Sequence, residues 1–308
     1  MSNSKNRLEI NDIKRLAAAF RDAAVAEICE LTAGECNALY KLTFSDGLCA
    51  VLKVSSGGRG ITRNERWLMR SEVAAMRLLY GKFPVPRLLF YDDSRTLING
   101  SYFFMEFIEG ETMLSLRDSE DYTRLDYELG QMFRTVTEFT CTQFGILGSD
   151  IRFDSILELV RFMIKNNLDD IRDMAGDAGV DESTVFDCLM RDSHAFCEVT
   201  HASLIHYDLW ANNVMVKDGK IAAVIDWERA LFAEDIMEDK FRGKNNDAFR
   251  EGYKKTVTTE NEMIRRRWYT ILIKLSIIAE GYFRFDGKDT RSREAREDIR
   301  EIFAGILK

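Results

Sequence analysis

The chain has 308 residues, 46% of them hydrophobic and 31% charged, and its 43 Lys and Arg face 51 Asp and Glu, a net charge of −8. This is the composition of a folded protein with a sizeable core and excludes a mainly disordered chain; its acidity argues against a nucleic-acid partner, whose binders carry a basic face. No apolar run reaches the ~18 residues needed to cross a membrane; the nearest, 268–283, is interrupted by Lys274 and Glu280.

Residues 1–11 are polar and lack the apolar stretch of a secretory signal, and the six cysteines form no C-x-x-C pair. Both features predict a cytoplasmic protein with reduced thiols. Leu8, Ile13, Leu16, Ala17 and Phe20 fall at helical spacing and predict an amphipathic helix over 9–24. Runs 27–31, 38–44 and 48–54 are β-prone, and Asp46-Gly47 joins the last two as a hairpin. A helix over 64–80 is stopped by Phe83-Pro-Val-Pro-Arg87, and strands 87–91 and 101–107 flank the turn signal Asn99-Gly100.

Beyond Gly110 the patterns turn helical, over 121–140, 153–172, 182–200, 260–284 and 291–307. One hairpin interrupts them, 214–216 with 221–225 around Asp218-Gly219. The expected fold is α+β with two lobes: residues 1–108 as a small five-stranded antiparallel lobe, and residues 109–308 as a larger, mainly helical one. Charge divides along the same line, with 15 basic and 12 acidic side chains in the first part and 28 and 39 in the second, net +3 against −11.

The chemistry concentrates in His206-Tyr-Asp-Leu-Trp-Ala-Asn-Asn213 and Val224-Ile-Asp-Trp-Glu228. Phosphoryl transfer needs a carboxylate beside the acceptor hydroxyl and hard oxygen ligands for a Mg²⁺ that bridges the phosphates. Asp208 stands where the first belongs, and the intervening hairpin brings Asn213 and Asp226 together as the second. In Ala50-Val-Leu-Lys-Val54, Lys53 lies inside an apolar strand, where an unpaired ammonium is costly. Glu72 is the expected partner, holding the lysine toward phosphate oxygens, and Glu65, about two turns earlier on the same helical face, competes for it.

With these motifs the sequence, from about Leu31 to Glu238, resembles the aminoglycoside phosphotransferase family within the protein-kinase-like group. The resemblance implies that Lys53 binds phosphate with Glu72 as its helix partner, that Asp208 is the catalytic aspartate, and that Asn213 and Asp226 hold Mg²⁺. His206 matches a histidine that buttresses the catalytic loop. Phe103-Phe-Met-Glu-Phe-Ile108 matches the hinge, with backbone groups of Glu106 and Ile108 facing adenine and Met105 lining its pocket. Three features depart from the protein-kinase pattern. The glycine-rich loop shrinks to Gly34-Glu-Cys-Asn-Ala-Leu-Tyr40, leaving Gly34 for phosphate contact. Tyr207 replaces an arginine, and Trp210 replaces a lysine that meets the transferred phosphate.

The implied activity is transfer of the γ-phosphate of ATP, or of GTP, to a hydroxyl of a small molecule. The acceptor stays open among aminoglycosides, macrolides, choline, sugars and amino alcohols. Glu228, Glu234, Asp235, Glu238 and Asp239 follow the metal aspartate closely; facing a cleft, they would favour a cationic, amine-bearing acceptor. The competing readings are an inactive kinase-like nucleotide-binding protein and a protein kinase, the latter disfavoured because no proline follows Pro86. Oligomeric state is not legible. His194 and His201 have no partners at metal-ligand spacing, and Trp268, Tyr269, Tyr282 and Phe283 are expected to pack in the core rather than to form an aromatic box for a cationic ligand.

Overall fold

The computed structural model describes residues 6–32, 37–58, 60–242 and 246–307. Helix α1 (Ile10–Phe20) precedes a five-stranded antiparallel sheet of β1 (Val25–Leu31), β2 (Ala38–Phe44), β3 (Cys49–Val54), β4 (Leu88–Asp92) and β5 (Tyr102–Glu106), in spatial order β1-β2-β3-β5-β4. Helix α2 (Leu68–Leu79) lies between β3 and β4 in the chain. Strand β2 alternates buried and half-buried positions, as a period of two requires. Strand β3 is buried almost throughout because both its faces are covered. On one face Ile13, Leu16 and Ala17 of α1 pack with Tyr40, Leu42, Leu52 and Phe104. On the other, Met69, Val73 and Met76 of α2 pack with Val51, Phe103 and Met105. Helix α1 stops four residues short of the expected end, because Arg21 turns to extended backbone and pairs with Asp46.

The chain leaves β5 through Gly110, whose φ is +132° and where a side chain would meet the Val216 carbonyl at 2.2 Å. It then forms β6 (Glu111–Thr112), α3 (Asp121–Val136), β7 (Thr140–Cys141), β8 (Phe144–Ile146), β9 (Arg152–Phe153), α4 (Ile156–Asp173) and α5 (Glu182–Arg191). There follow β10 (Ala202–Ile205), β11 (Val214–Lys217), β12 (Lys220–Val224), β13 (Leu231–Ala233), α6 (Asp239–Arg242), α7 (Asp247–Tyr253), α8 (Glu260–Phe285) and α9 (Thr290–Ile306).

Two features correct the sequence reading. The hairpin β11–β12 is not alone: β6 adds a third strand, and β7, β10, β13, β8 and β9 form a second five-stranded sheet in that order. Its strands are two to four residues long, too short for alternation to register in the sequence. The helix expected over 182–200 ends at Arg191 and continues only as a 3₁₀ turn, Ser193–Glu198. Trp268 and Tyr269 are fully buried, as expected of core residues. Among the described residues no helix is long and apolar enough to cross a membrane. The result is an antiparallel amino-terminal sheet followed by a mainly helical region, with a continuous core running from Ala75 and Leu79 of α2 into the helices.

Candidate active site

Lys53 sits on β3 opposite Phe103 of β5, with its side chain 4% exposed on the face covered by α2. Its Nζ reaches Glu72 Oε2 at 2.5 Å, Asp226 Oδ1 at 2.7 Å and Glu228 Oε2 at 2.8 Å. Glu65, the competing partner, instead pairs with Arg229 and Arg284. One ammonium thus meets three carboxylates. Burial alone would lower the lysine, but Asp226, Glu228 and Glu72 hold it well above its ordinary value. Burial and mutual repulsion push Glu72 up to about 8 and raise Glu228, whereas Lys53 outweighs burial at Asp226 and holds it low. Three carboxylates share one ammonium, and their oxygens leave room for a further cation.

The loop bearing Asp208 is built from backbone bonds. His206 is fully buried, and its Nε2 lies 2.9 Å from the Ile225 carbonyl; a carbonyl only accepts, so Nε2 carries the proton. The Asn213 amide group donates from Nδ2 to the Asp208 carbonyl at 3.0 Å, which leaves Oδ1 as its free ligand atom. Ile225 N in turn donates to the Asn213 carbonyl at 2.9 Å, tying the two motifs together. Tyr207 (φ 70°) and Asp226 (φ 64°) both adopt left-handed backbone, a conformation that non-glycine residues hold only under constraint and that clusters at functional sites. Burial pushes the half-buried Asp208 carboxyl up to about 7, with Arg229 opposing and Asp226 reinforcing the shift.

Sequence reasoning missed the constraint itself. Glu238, 3% exposed, accepts from the amides of His206 at 2.7 Å, Tyr207 at 3.0 Å, Leu209 at 3.3 Å and Asp239 at 2.8 Å. It is a carboxylate strut for the Asp208 loop, and nothing in a string of acidic residues announces it. The acidic run is thereby corrected as a cleft-facing field. Glu228 pairs with Lys53, Glu234 with Arg265 and Tyr269, and Asp235 with Lys255 and Tyr253. Of the five, only Asp239 is substantially exposed, its side chain at 40%.

Of the hinge residues, Met105 is buried among the side chains between sheet and α2. Glu106 is exposed and its amide is already spent on the Arg87 carbonyl at 2.9 Å, which leaves only its carbonyl for a ligand. The half-buried Ile108 has no backbone partner among the described residues. Gly34 lies outside the described residues. For a metal, the oxygens of Glu72, Asp226 and Glu228 lie within 4.8 Å of one another; these hard donors fit Mg²⁺.

The family model of the phosphotransferase enzyme family (APH) matches residues 27–239, well over half of the chain. The chain belongs to this family, and its class is that of a small-molecule phosphotransferase. No curated protein sequence matches it. Among solved structures it is similar to a thermostable mutant of aminoglycoside phosphotransferase APH(4)-Ia in ternary complex with ADP and hygromycin B, at TM-score 0.68 and 18% identity over 94% of this chain and 97% of that one. It is also similar to the streptomycin–ATP complex of APH(2")-IIa, at TM-score 0.60 and 13% identity over 96% and 99%. A Thermobifida fusca protein assigned as a fructosamine-3-kinase matches at TM-score 0.63 and 18% identity over 97% and 99%. At these identities the likeness speaks for the fold.

Proposed function

We propose that the protein transfers the γ-phosphate of ATP, or of GTP, to a hydroxyl of an amine-bearing small molecule, with residues 1–108 as the nucleotide-binding lobe and 109–308 as the catalytic and acceptor-binding lobe. The observation that carries the reading is the convergence of Lys53, Glu72, Asp226 and Glu228 beside a rigid loop bearing Asp208 and Asn213. Lys53, held by Glu72, meets phosphate oxygens. The Glu106 carbonyl and Ile108 amide bind adenine against Met105, and Gly34 is the further residue assigned to phosphate contact. Asp208 orients the acceptor hydroxyl and takes its proton as the new bond forms. Asn213 and Asp226 would hold Mg²⁺, with Glu228 as a third donor from this chain, and the ion would neutralise negative charge on the donor phosphates. With nucleotide bound, Lys53 keeps Glu72 and exchanges Asp226 and Glu228 for phosphate oxygens.

An amine on the acceptor follows from the charge of residues 109–308, net −11, and from the surplus carboxylates at the site itself. Hygromycin B and streptomycin, bound in complexes of the structural relatives, are of the same chemical kind. Free thiols at Cys29, Cys49, Cys141, Cys188 and Cys197 suit a cytoplasmic setting. The test is nucleotide consumption with Mg²⁺ over a panel of aminoglycosides, fructosamines, choline, macrolides and neutral sugars. The expected result is turnover with amine-bearing compounds and an acceptor KM that rises with salt. Turnover of neutral sugars alone, insensitive to salt, would overturn the amine.

A further inference from the structure

Trp210 is the side chain of the Asp208 loop that the phosphoryl chemistry leaves unassigned. Its backbone is pinned on both sides: its amide donates to the Asp208 carbonyl at 3.1 Å, and its own carbonyl accepts from the Asn213 amide at 2.9 Å. Packing does not claim the indole. It is 43% exposed, whereas Trp227 and Trp268 are fully buried, and among the described residues it has no aromatic, cationic or hydrogen-bonding side-chain partner. A rigid apolar plate is thus held open two residues past the carboxylate that receives the acceptor.

The chemistry of indole sorts the two groups that meet there. The π face is electron-rich and repels a phosphate, and a single N–H donor replaces little of what an ammonium would supply to it. A saccharide ring gains apolar contact from the same face, and an ammonium on that ring gains a cation–π attraction, for which Trp is the best of the aromatic side chains.

We propose that Trp210 is a specificity-determining residue, the stacking platform for a cyclic, amine-bearing acceptor. This rests on the acceptor reading above. The test uses the full chain with MgATP and four probes: hygromycin B, streptomycin, glucosamine and the acyclic cation choline. For each cyclic amine that is phosphorylated, Trp210→Ala raises the acceptor KM roughly tenfold or more and Trp210→Phe changes it by less than about threefold, with the nucleotide KM steady in both. The same amine shields wild-type fluorescence from acrylamide, and Trp210→Phe removes that signal. Trp210→Leu, which keeps apolar bulk without a π face, gives the same comparison should the alanine variant misfold. An acceptor KM unmoved by these changes overturns the platform and leaves the phosphotransferase standing. Turnover of choline alone overturns the cyclic acceptor, and turnover of none of the four overturns the acceptor reading and this inference together.

Discussion

The proposed role of Asp208 as the base places two opposing demands on it. A base near an acceptor hydroxyl works best with a pKa close to the operating pH, and burial supplies that by pushing its carboxyl up to about 7. The same burial costs stability. Below the ordinary value of 3.8, folded and unfolded chains both hold the proton. Between that value and about 7 only the folded chain holds it, so stability falls as pH rises through this window and is flat above it. Asparagine cannot ionise. Asp208→Asn is therefore expected to lower kcat by roughly 10²–10⁴-fold while its urea midpoint, matched to wild type near about pH 4, exceeds it increasingly toward pH 8. A folded variant with near-normal kcat removes Asp208 from the chemistry. Asp226 makes a separate claim, on the metal. Asp226→Ala deletes the proposed ligand oxygen and frees Lys53 from one of its three partners, and the expected outcome is nucleotide affinity that needs more Mg²⁺, measured by titrating the ion against a fluorescent nucleotide. An unchanged Mg²⁺ requirement would move the ion elsewhere.

Among elements, α3 and α7 cross closely. A side chain at Gly130 would meet the Phe249 carbonyl at 2.1 Å, and one at Gly252 would meet the Tyr127 carbonyl at 2.0 Å, so the two helices touch backbone to backbone. Lys240 and Asp126 are buried at the same place, 2.5 Å apart, and Asp126 also accepts the Phe249 amide at 3.2 Å. Gly130→Ala is expected to destabilise by about 1–3 kcal/mol through overpacking, despite alanine's better helix propensity; a urea midpoint at or above wild type would contradict the crossing. That contact was not legible in the sequence, where Gly130 reads as a weak point in a helix. Strand β2 and the hairpins at Asp46-Gly47 and Asp218-Gly219 were legible, because period-two burial and a turn residue with positive φ are local properties. So was the Lys53–Glu72 pair, since one lysine in an apolar strand demands a partner. Strands β7 and β8 pair with strands sixty or more residues away, and Glu234 and Glu238 turn inward onto groups about thirty residues away. No local pattern encodes them.

At the scale of the whole molecule, four charges fasten the approach to α2 onto the far end of the chain. Glu65 Oε1 meets Arg229 at 2.8 Å and Arg284 at 2.5 Å, and Glu280 meets Arg229 at 2.8 Å and Arg284 at 2.9 Å, closing a ring of two acids and two bases. Arg284, on α8, also reaches the Gly60 carbonyl at 3.3 Å. Arg229 lies three residues past Asp226, so one ring joins the segment ahead of the Glu72 helix, the metal loop and α8. Side chains of Glu65 and Arg284 are 3% and 2% exposed, too buried for salt to screen. Removing one member strands a charge: Arg284→Met is expected to cost about 3–5 kcal/mol, and adding Glu65→Gln should return part of that loss, because the two sites share partners. Acid probes the same ring. Burial would raise Glu280, but Arg229 and Arg284 outweigh it and hold its carboxyl below the ordinary 4.5. Its contribution is therefore full above 4.5 and drains away as pH falls through the lower folded value. Glu280→Gln, which cannot titrate, is expected to be less stable than wild type at pH 7 and to lose less on going from about pH 5 to about pH 3. Parallel stability curves for the two proteins across that range would show that the ring holds the molecule by shape rather than by charge.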